Sequence, residues 1–220
     1  MPTPLGGLAS EGRPVIIVDA GHGGVDGGTQ GFGALEKHLA LDTAVRLARE
    51  LRLRGISPVM TREDDTALSL EERVERANAR TDAAAFVSVH YNFSTASPDI
   101  RGAEAYYAAP KDLSAQSHLA KKWRVPVDSP EIEAASRSLA EGILDALSRE
   151  ARTPSRGARD RTDLAVTRRT QMPAVLVECA FLSNPDDAAR AKTAAWQGDL
   201  ARGIAEGASA WIKSRFDNIK

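Results

Sequence analysis

The sequence predicts a single α/β domain, a largely parallel open sheet of about six strands with helices on both faces. Two features of the chain point there. Three short apolar runs, residues 14–18, 84–89 and 174–177, lack polar alternation, as strands buried on both faces of a parallel sheet do. Segments with helical periodicity separate them, so strands and helices alternate. A chain of 220 residues can bury one sizeable core, and no compositional seam divides it.

Residues 1–12 are rich in Pro, Gly and Ser and read as a flexible lead-in, with the folded domain expected over residues 13–220. Residues 13–19 form the first strand, which opens into a glycine-rich loop reaching Gly33. A helix follows from Glu36 to about Arg54, on the spacing of Leu39, Val45, Leu47 and Leu51, with Gly55 as its stop. Residues 56–61 supply a second strand. Ser69 and Glu72 make a capping box, opening a helix through Val74 and Ala77. Residues 86–90 and 102–107 are the third and fourth strands. Ser129-Pro130 suits the N-cap and first turn of a helix reaching about Arg149. Residues 151–161 are basic and turn-rich, so an exposed loop is expected. Residues 164–167 and 174–177 complete the strands. Asn184-Pro185, followed by Asp186 and Asp187, caps another helix, and residues 200–212 form a closing amphipathic one.

Composition excludes several classes. With 29 basic and 30 acidic residues the net charge is −1, so no global field favours nucleic acid or an anionic membrane. No apolar run approaches the roughly 18 residues of a membrane span. No signal-peptide pattern is visible. One cysteine, Cys179, excludes an intramolecular disulfide.

In open α/β sheets, ligands bind beyond the carboxyl ends of the strands. The three apolar runs lead into Asp19-Ala20-Gly21-His22-Gly23-Gly24, Ser88-Val89-His90-Tyr91-Asn92 and Val177-Glu178-Cys179. Two imidazoles and a carboxylate therefore converge on one rim. Catalytic zinc takes three protein ligands and leaves a position for water. His22 and His90 are two candidates. Glu36 is the best placed third, because the glycine-rich loop must fold back over the rim to begin its helix. Such an ion lowers the pKa of its water from about 15.7 to about 7. Glu178 remains as the carboxylate to accept the proton. Each residue alone has a plainer reading: a turn histidine, a hydrogen-bonded core histidine, a glutamate on a helix dipole. Glu178 is the least ordinary, since a carboxylate directly after a buried run is costly unless paired, coordinated or catalytic.

Rival chemistries fit poorly. The glycine-rich loop lacks the patterns of nucleotide-binding loops. Strand alternation aims Cys179 away from Glu178, as a small buried hydrophobe. His38 lies about 200° round the helix from Glu36, and His118 sits in a polar stretch. The basic residues 149–161 could touch an anionic polymer, although solvated loops of this kind are commoner. The residues alone reach a zinc-dependent amide hydrolase.

These motifs resemble the zinc-dependent N-acetylmuramoyl-L-alanine amidases that trim bacterial peptidoglycan. The further markers are Glu36-Lys37, Thr61-Arg62, Leu70-x-x-Arg73 with Ala77-Asn78, Arg101-Gly102, and the stretch from Pro173 to Asn184. The resemblance implies His22, Glu36 and His90 as Zn2+ ligands and Glu178 as the catalytic glutamate. It implies cleavage of the amide between the lactyl group of N-acetylmuramic acid and L-alanine of the stem peptide. It also implies peptidoglycan as the partner and, from that substrate, a periplasmic or secreted location in the cell envelope; a monomer is expected. Asp19 and Asn92 are candidates to support the histidines. Tyr91 stands where the family commonly has alanine, and Cys179-Ala180 replace a pair that usually ends in glycine. In some relatives an insertion matching residues 111–130 carries a helix that blocks the zinc until an activator protein displaces it. The alternatives are a zinc hydrolase of another amide, a peptidase or deacetylase, and a degenerate, non-catalytic wall-binding module.

Overall fold

The protein's structure, a computed structural model, describes residues 12–108 and 130–216. The elements run β1 (Val15–Ala20), β2 (Gln30–Gly31), β3 (Ala34–Leu35), α1 (Glu36–Leu53), β4 (Ser57–Met60), α2 (Leu70–Asn78), β5 (Ala83–Asn92) and β6 (Ala103–Tyr107). They continue with α3 (Pro130–Glu150), β7 (Ser155–Asp160), α4 (Ala165–Arg168), β8 (Ala174–Phe181), α5 (Pro185–Ala191) and α6 (Ala194–Phe216). The main sheet has six strands in the order β4-β1-β5-β8-β6-β7. Strands β4, β1, β5 and β8 run parallel, whereas β6 is antiparallel to β8 and β7 follows β6. The expected single α/β layer structure with a largely parallel sheet is the one observed.

Local chemistry explains where the helices begin. Ser69 Oγ accepts from the Glu72 backbone N–H at 3.2 Å and Glu72 Oε2 accepts from the Ser69 N–H at 2.7 Å, closing the capping box. Asn184 Oδ1 accepts from the N–H groups of Asp186 and Asp187, both at 3.1 Å, with Pro185 in the first turn.

Alternation sorts the strand residues onto two faces. On one, Ile16, Val18, Val87, Val89, Val175 and Val177 pack with Leu47 of α1, Leu139 and Ile143 of α3, and Leu200 and Ile204 of α6. On the other, Ile17, Phe86, Tyr106 and Leu176 pack with Ala77 of α2 and Val166 of α4, a smaller layer. Toward the carboxyl ends of β1, β5 and β8 this second face turns polar: Asp19 follows Ile17, Ser88 and His90 follow Phe86, and Glu178 follows Leu176. Glu104, at the start of antiparallel β6, lies opposite Glu178.

Two expected elements differ. Residues 164–167 are not a strand but the start of α4, a single turn that lays Val166 on the smaller core. Four residues, three of them apolar, are too few for periodicity to separate helix from strand. The basic stretch expected as a loop contains β7, which pairs only with β6 and leaves its side chains exposed or half-buried. An edge strand needs no apolar signature, and charges there discourage pairing with other chains. The closing helix also starts earlier, at Ala194. Residues 1–11, His118 and the segment 111–129 lie outside the described residues.

Candidate metal centre and active site

The three expected metal ligands come together. Strand β1 ends at Ala20, and the next N–H, of Gly21, donates to Val89 O at 3.0 Å, holding the loop against β5. The His90 imidazole packs directly on Gly21, where a Cβ would lie 2.3 Å from Cε1. A Cβ at Gly28 would meet Glu36 Oε2 at 2.5 Å and the His22 ring at 2.6 Å. Only glycine at these two positions leaves room for all three side chains. The His22 and His90 rings meet edge to face, with centroids 4.9 Å apart.

Glu36, the first residue of α1, is the hinge of the cluster. Its backbone N–H donates to Thr29 O at 2.9 Å, and its Oε2 accepts from the Thr29 N–H at 2.8 Å, tying the helix start to the returning loop. Its Oε1 faces the Tyr91 N–H at 3.0 Å, His90 Nδ1 at 2.9 Å and His22 Nε2 at 3.1 Å. One candidate ligand atom from each of His22, Glu36 and His90 falls within 4.8 Å of the others. Burial tends to raise the Glu36 pKa, but the hydrogen bonds and charges of both histidines prevail and hold the carboxyl well below the usual range. Burial likewise lowers His22, yet Glu36 and then Asp26 raise it above the ordinary imidazole value. Two imidazoles and a carboxylate, half-buried or buried and turned toward one point, are the donor set of a divalent metal site.

The supporting groups are not the expected ones. Asp26, four residues along the loop, sets Oδ2 2.8 Å from His22 Nδ1, the orienting contact that a ligand histidine needs. Asp19 instead accepts from Arg73 Nη1 at 2.7 Å, Thr61 Oγ1 at 2.6 Å and Ser88 Oγ at 2.6 Å. Arg73 also donates to Ala20 O and His22 O, both at 2.6 Å, and Arg62 to Ala20 O at 2.9 Å and Gly21 O at 2.6 Å. These two buried arginines clamp the carbonyls of the segment that presents His22. Asn92 Nδ2 donates to Glu104 Oε1 at 2.7 Å rather than to a histidine.

Glu178 stands beside His90 in register. Its Oε2 is sealed from solvent and has no hydrogen-bond partner. Burial first, then the charges of Glu36 and Glu104, push its carboxyl well above the usual range, with Arg161 opposing. A lone buried carboxyl oxygen is costly, which sets Glu178 apart from the paired carboxylates around it. Cys179 points into the opposite core, where burial raises its thiol. His38 is exposed on α1, away from the cluster. Tyr91, the departure beside His90, is buried and its hydroxyl pairs with Thr43 Oγ1 at 2.8 Å.

A family model described as N-acetylmuramoyl-L-alanine amidase matches residues 16–210. The chain is 35% identical over 198 residues to the amidase LytC of Bacillus subtilis, covering 90% of this chain and 35% of LytC. It is 30% identical over 234 residues to the amidase AmiA of Escherichia coli, covering 96% of this chain and 80% of AmiA. Among solved structures, an N-acetylmuramoyl-L-alanine amidase from Clostridium difficile 630 superposes with a TM-score of 0.78 at 28% identity, over 93% of this chain and 99% of that one. The amidase AmiC2 of Nostoc punctiforme gives 0.77 at 30% identity, with the same coverage. The family match over most of the chain and the superposable relatives agree, and the chain belongs to the N-acetylmuramoyl-L-alanine amidase family.

Proposed function

We propose that this chain is a zinc-dependent hydrolase of the amide joining the lactyl group of N-acetylmuramic acid to L-alanine of the peptidoglycan stem peptide. His22, Glu36 and His90 would hold the metal and Glu178 would move the proton. The observation that carries this reading is the sealed, unpartnered Glu178 Oε2 next to a cluster of three converging ligand atoms. When bound, zinc supplies Lewis-acid polarisation of the scissile carbonyl and an acidified water.

The protein's own residues do the rest. Asp26 holds the His22 ring by Nδ1, and the Tyr91 and Thr29 amides fix the two oxygens of Glu36. Glu178 takes a proton from the attacking water and returns it to the alanine nitrogen as that nitrogen leaves. Its place in register with His90, with Oε2 unpartnered, suits a group that must both accept and give back a proton. A fourth protein ligand would close the position that water needs, so Glu178 is read as the shuttle.

Glu178→Gln tests the role. It should bind zinc normally and lose at least about a hundredfold in turnover. Near-normal turnover of the zinc-loaded variant would refute the shuttle, and lost zinc would make Glu178 a ligand. The bond is tested by mass spectrometry of digested peptidoglycan, which should give intact stem peptides with a new free amine on L-alanine. Cuts within the stem would indicate a peptidase, release of acetate a deacetylase, and binding without any cut a wall-binding module.

A location in the cell envelope follows from this substrate, and no described helix is long and apolar enough to cross a membrane. A relative at 26% identity, the CwlD amidase of Clostridioides difficile, was solved in complex with the GerS lipoprotein. That complex supports a protein partner for this chain as well.

A further inference from the structure

The edge strand β7 puts guanidinium groups on the face of the sheet that carries Glu178. Arg159 is the register partner of Tyr106, two residues along β6 from Glu104. The register slips between Ala103, which faces Ser155, and Ala105, which faces Ala158, so Arg156 and Arg159 reach the same side although they are an odd three positions apart. Both converge on Glu104 Oε2, Arg156 through Nε at 3.5 Å and Arg159 through Nη1 at 3.6 Å. Glu104 itself lies opposite Glu178. Arg161 stacks its guanidinium 5.1 Å from the centre of the Tyr106 ring, and Asp163 holds it at 2.8 and 2.7 Å.

Arg156 and Arg159 offer more N–H donors than Glu104 uses. Glu104 Oε1 is taken by the Asn92 amide and the Tyr106 hydroxyl. Its Oε2 is shared between two arginines at distances that make ion pairs but not good hydrogen bonds. Arg156 Nε is buried without a hydrogen-bond partner, and the Arg159 side chain is 52% exposed. Two guanidinium groups thus share the single carboxylate of Glu104, which lies opposite Glu178. Forked N–H donors of this kind match a carboxylate in shape as well as charge.

The substrate offers such a group on one side only. The scissile amide joins a sugar acid, consumed as the acyl partner, to a peptide whose later residues carry free carboxylates. We propose that Arg156 and Arg159 form a subsite for a stem-peptide carboxylate, so that the peptide lies along the β7 side of Glu178 and the glycan on the other. The inference rests on the amidase reading and extends it to the orientation of the substrate and to its charge.

The experiment compares two soluble muropeptides, one with free stem carboxylates and one with them amidated, on the zinc-loaded wild-type protein and on Arg159→Gln. The wild type should favour the acidic substrate by roughly tenfold or more in kcat/KM, the scale of a hydrogen bond to a charged group. Arg159→Gln should raise KM for the acidic substrate with kcat nearly kept, and bring the two substrates within about threefold of each other. Arg159→Lys should recover part of the preference, since it restores charge without the fork. Equal loss on both substrates would assign Arg159 a merely structural role, and a wild type indifferent to amidation would overturn the subsite while leaving the amidase reading intact. A wild type that cuts neither muropeptide would bring down the amidase reading and the subsite with it.

Discussion

On one face of the sheet, apolar residues continue to the ends of the strands: Val18 and Ala20 on β1, Val87 and Val89 on β5, Val177 and Cys179 on β8, beneath α1, α3 and α6. On the other, the same three strands change character two residues earlier, and Asp19, Ser88, His90 and Glu178 take the places that valine holds opposite. The thin cover of α2 and α4 makes this possible. Their small apolar contribution, Ala77 and Val166, leaves the strand ends beyond Leu176 and Phe86 to polar side chains. Stability and chemistry are thereby divided between two faces of the same strands, and substitutions on the two faces should fail in different ways.

The largest effect should come from the thin face. His90→Ala should lose bound zinc and bring amide hydrolysis to background while remaining folded, measured by elemental analysis alongside circular dichroism. Full zinc content in that variant would remove His90 from the ligand set. On the thick face, Leu139→Ala should cost roughly 2–5 kcal/mol of stability through the cavity it opens, with turnover per folded molecule kept. A denaturant midpoint that does not move would contradict the assignment of this face to stability.

A third test uses acid. Burial tends to raise the Asp19 pKa, but Arg73, then Ser88 and Thr61, outweigh it and lower the carboxyl from 3.8. A carboxyl depressed by folding stabilises the protein above its unfolded pKa, and that contribution is lost as the pH falls from there through the folded value. Stability should therefore drop below about pH 4. Asp19→Asn, although less stable at neutral pH because Arg73 is left unpaired, should show a shallower acid limb in urea melts taken across that range. An unchanged slope would separate Asp19 from acid sensitivity. The smallest effect should be at the edge of the fold, where Ser69→Ala removes one cap of α2 and costs about 1 kcal/mol, read as a lowered Tm with unchanged zinc content.

What could be read in advance follows the same division. Buried strands announce themselves because both faces are apolar over most of their length, and Ser69, Glu72 and Asn184 mark helix starts through contacts with near neighbours. That His22, Glu36, His90 and Glu178 share one rim is legible because each follows a strand or a loop that must return to its end. The role of Asp26 is not. Its contact with His22 depends on a left-handed backbone at His22, φ 58°, inside a loop whose path no periodicity records. The partner of Asp19 is hidden for a related reason, since the Arg73 that claims it arrives 54 residues later from α2. Strand β7 was hidden because an exposed edge rich in arginine has the composition of a loop.

Gly21 has a consequence for how such a site can be altered. The space for the His90 ring is a missing methyl group, not a cavity shaped by large neighbours. A site bounded by an absent atom has no half-measures: even alanine, the smallest change available, would drive the imidazole from its place, while the arginine clamps on the carbonyls of Ala20 and Gly21 keep the backbone from yielding. The loop that looks most pliable in composition is therefore the least forgiving of growth. Evolution or design that seeks to enlarge this site must work from open positions of the loop, such as the exposed Val25 and Phe32, and leave the glycines alone.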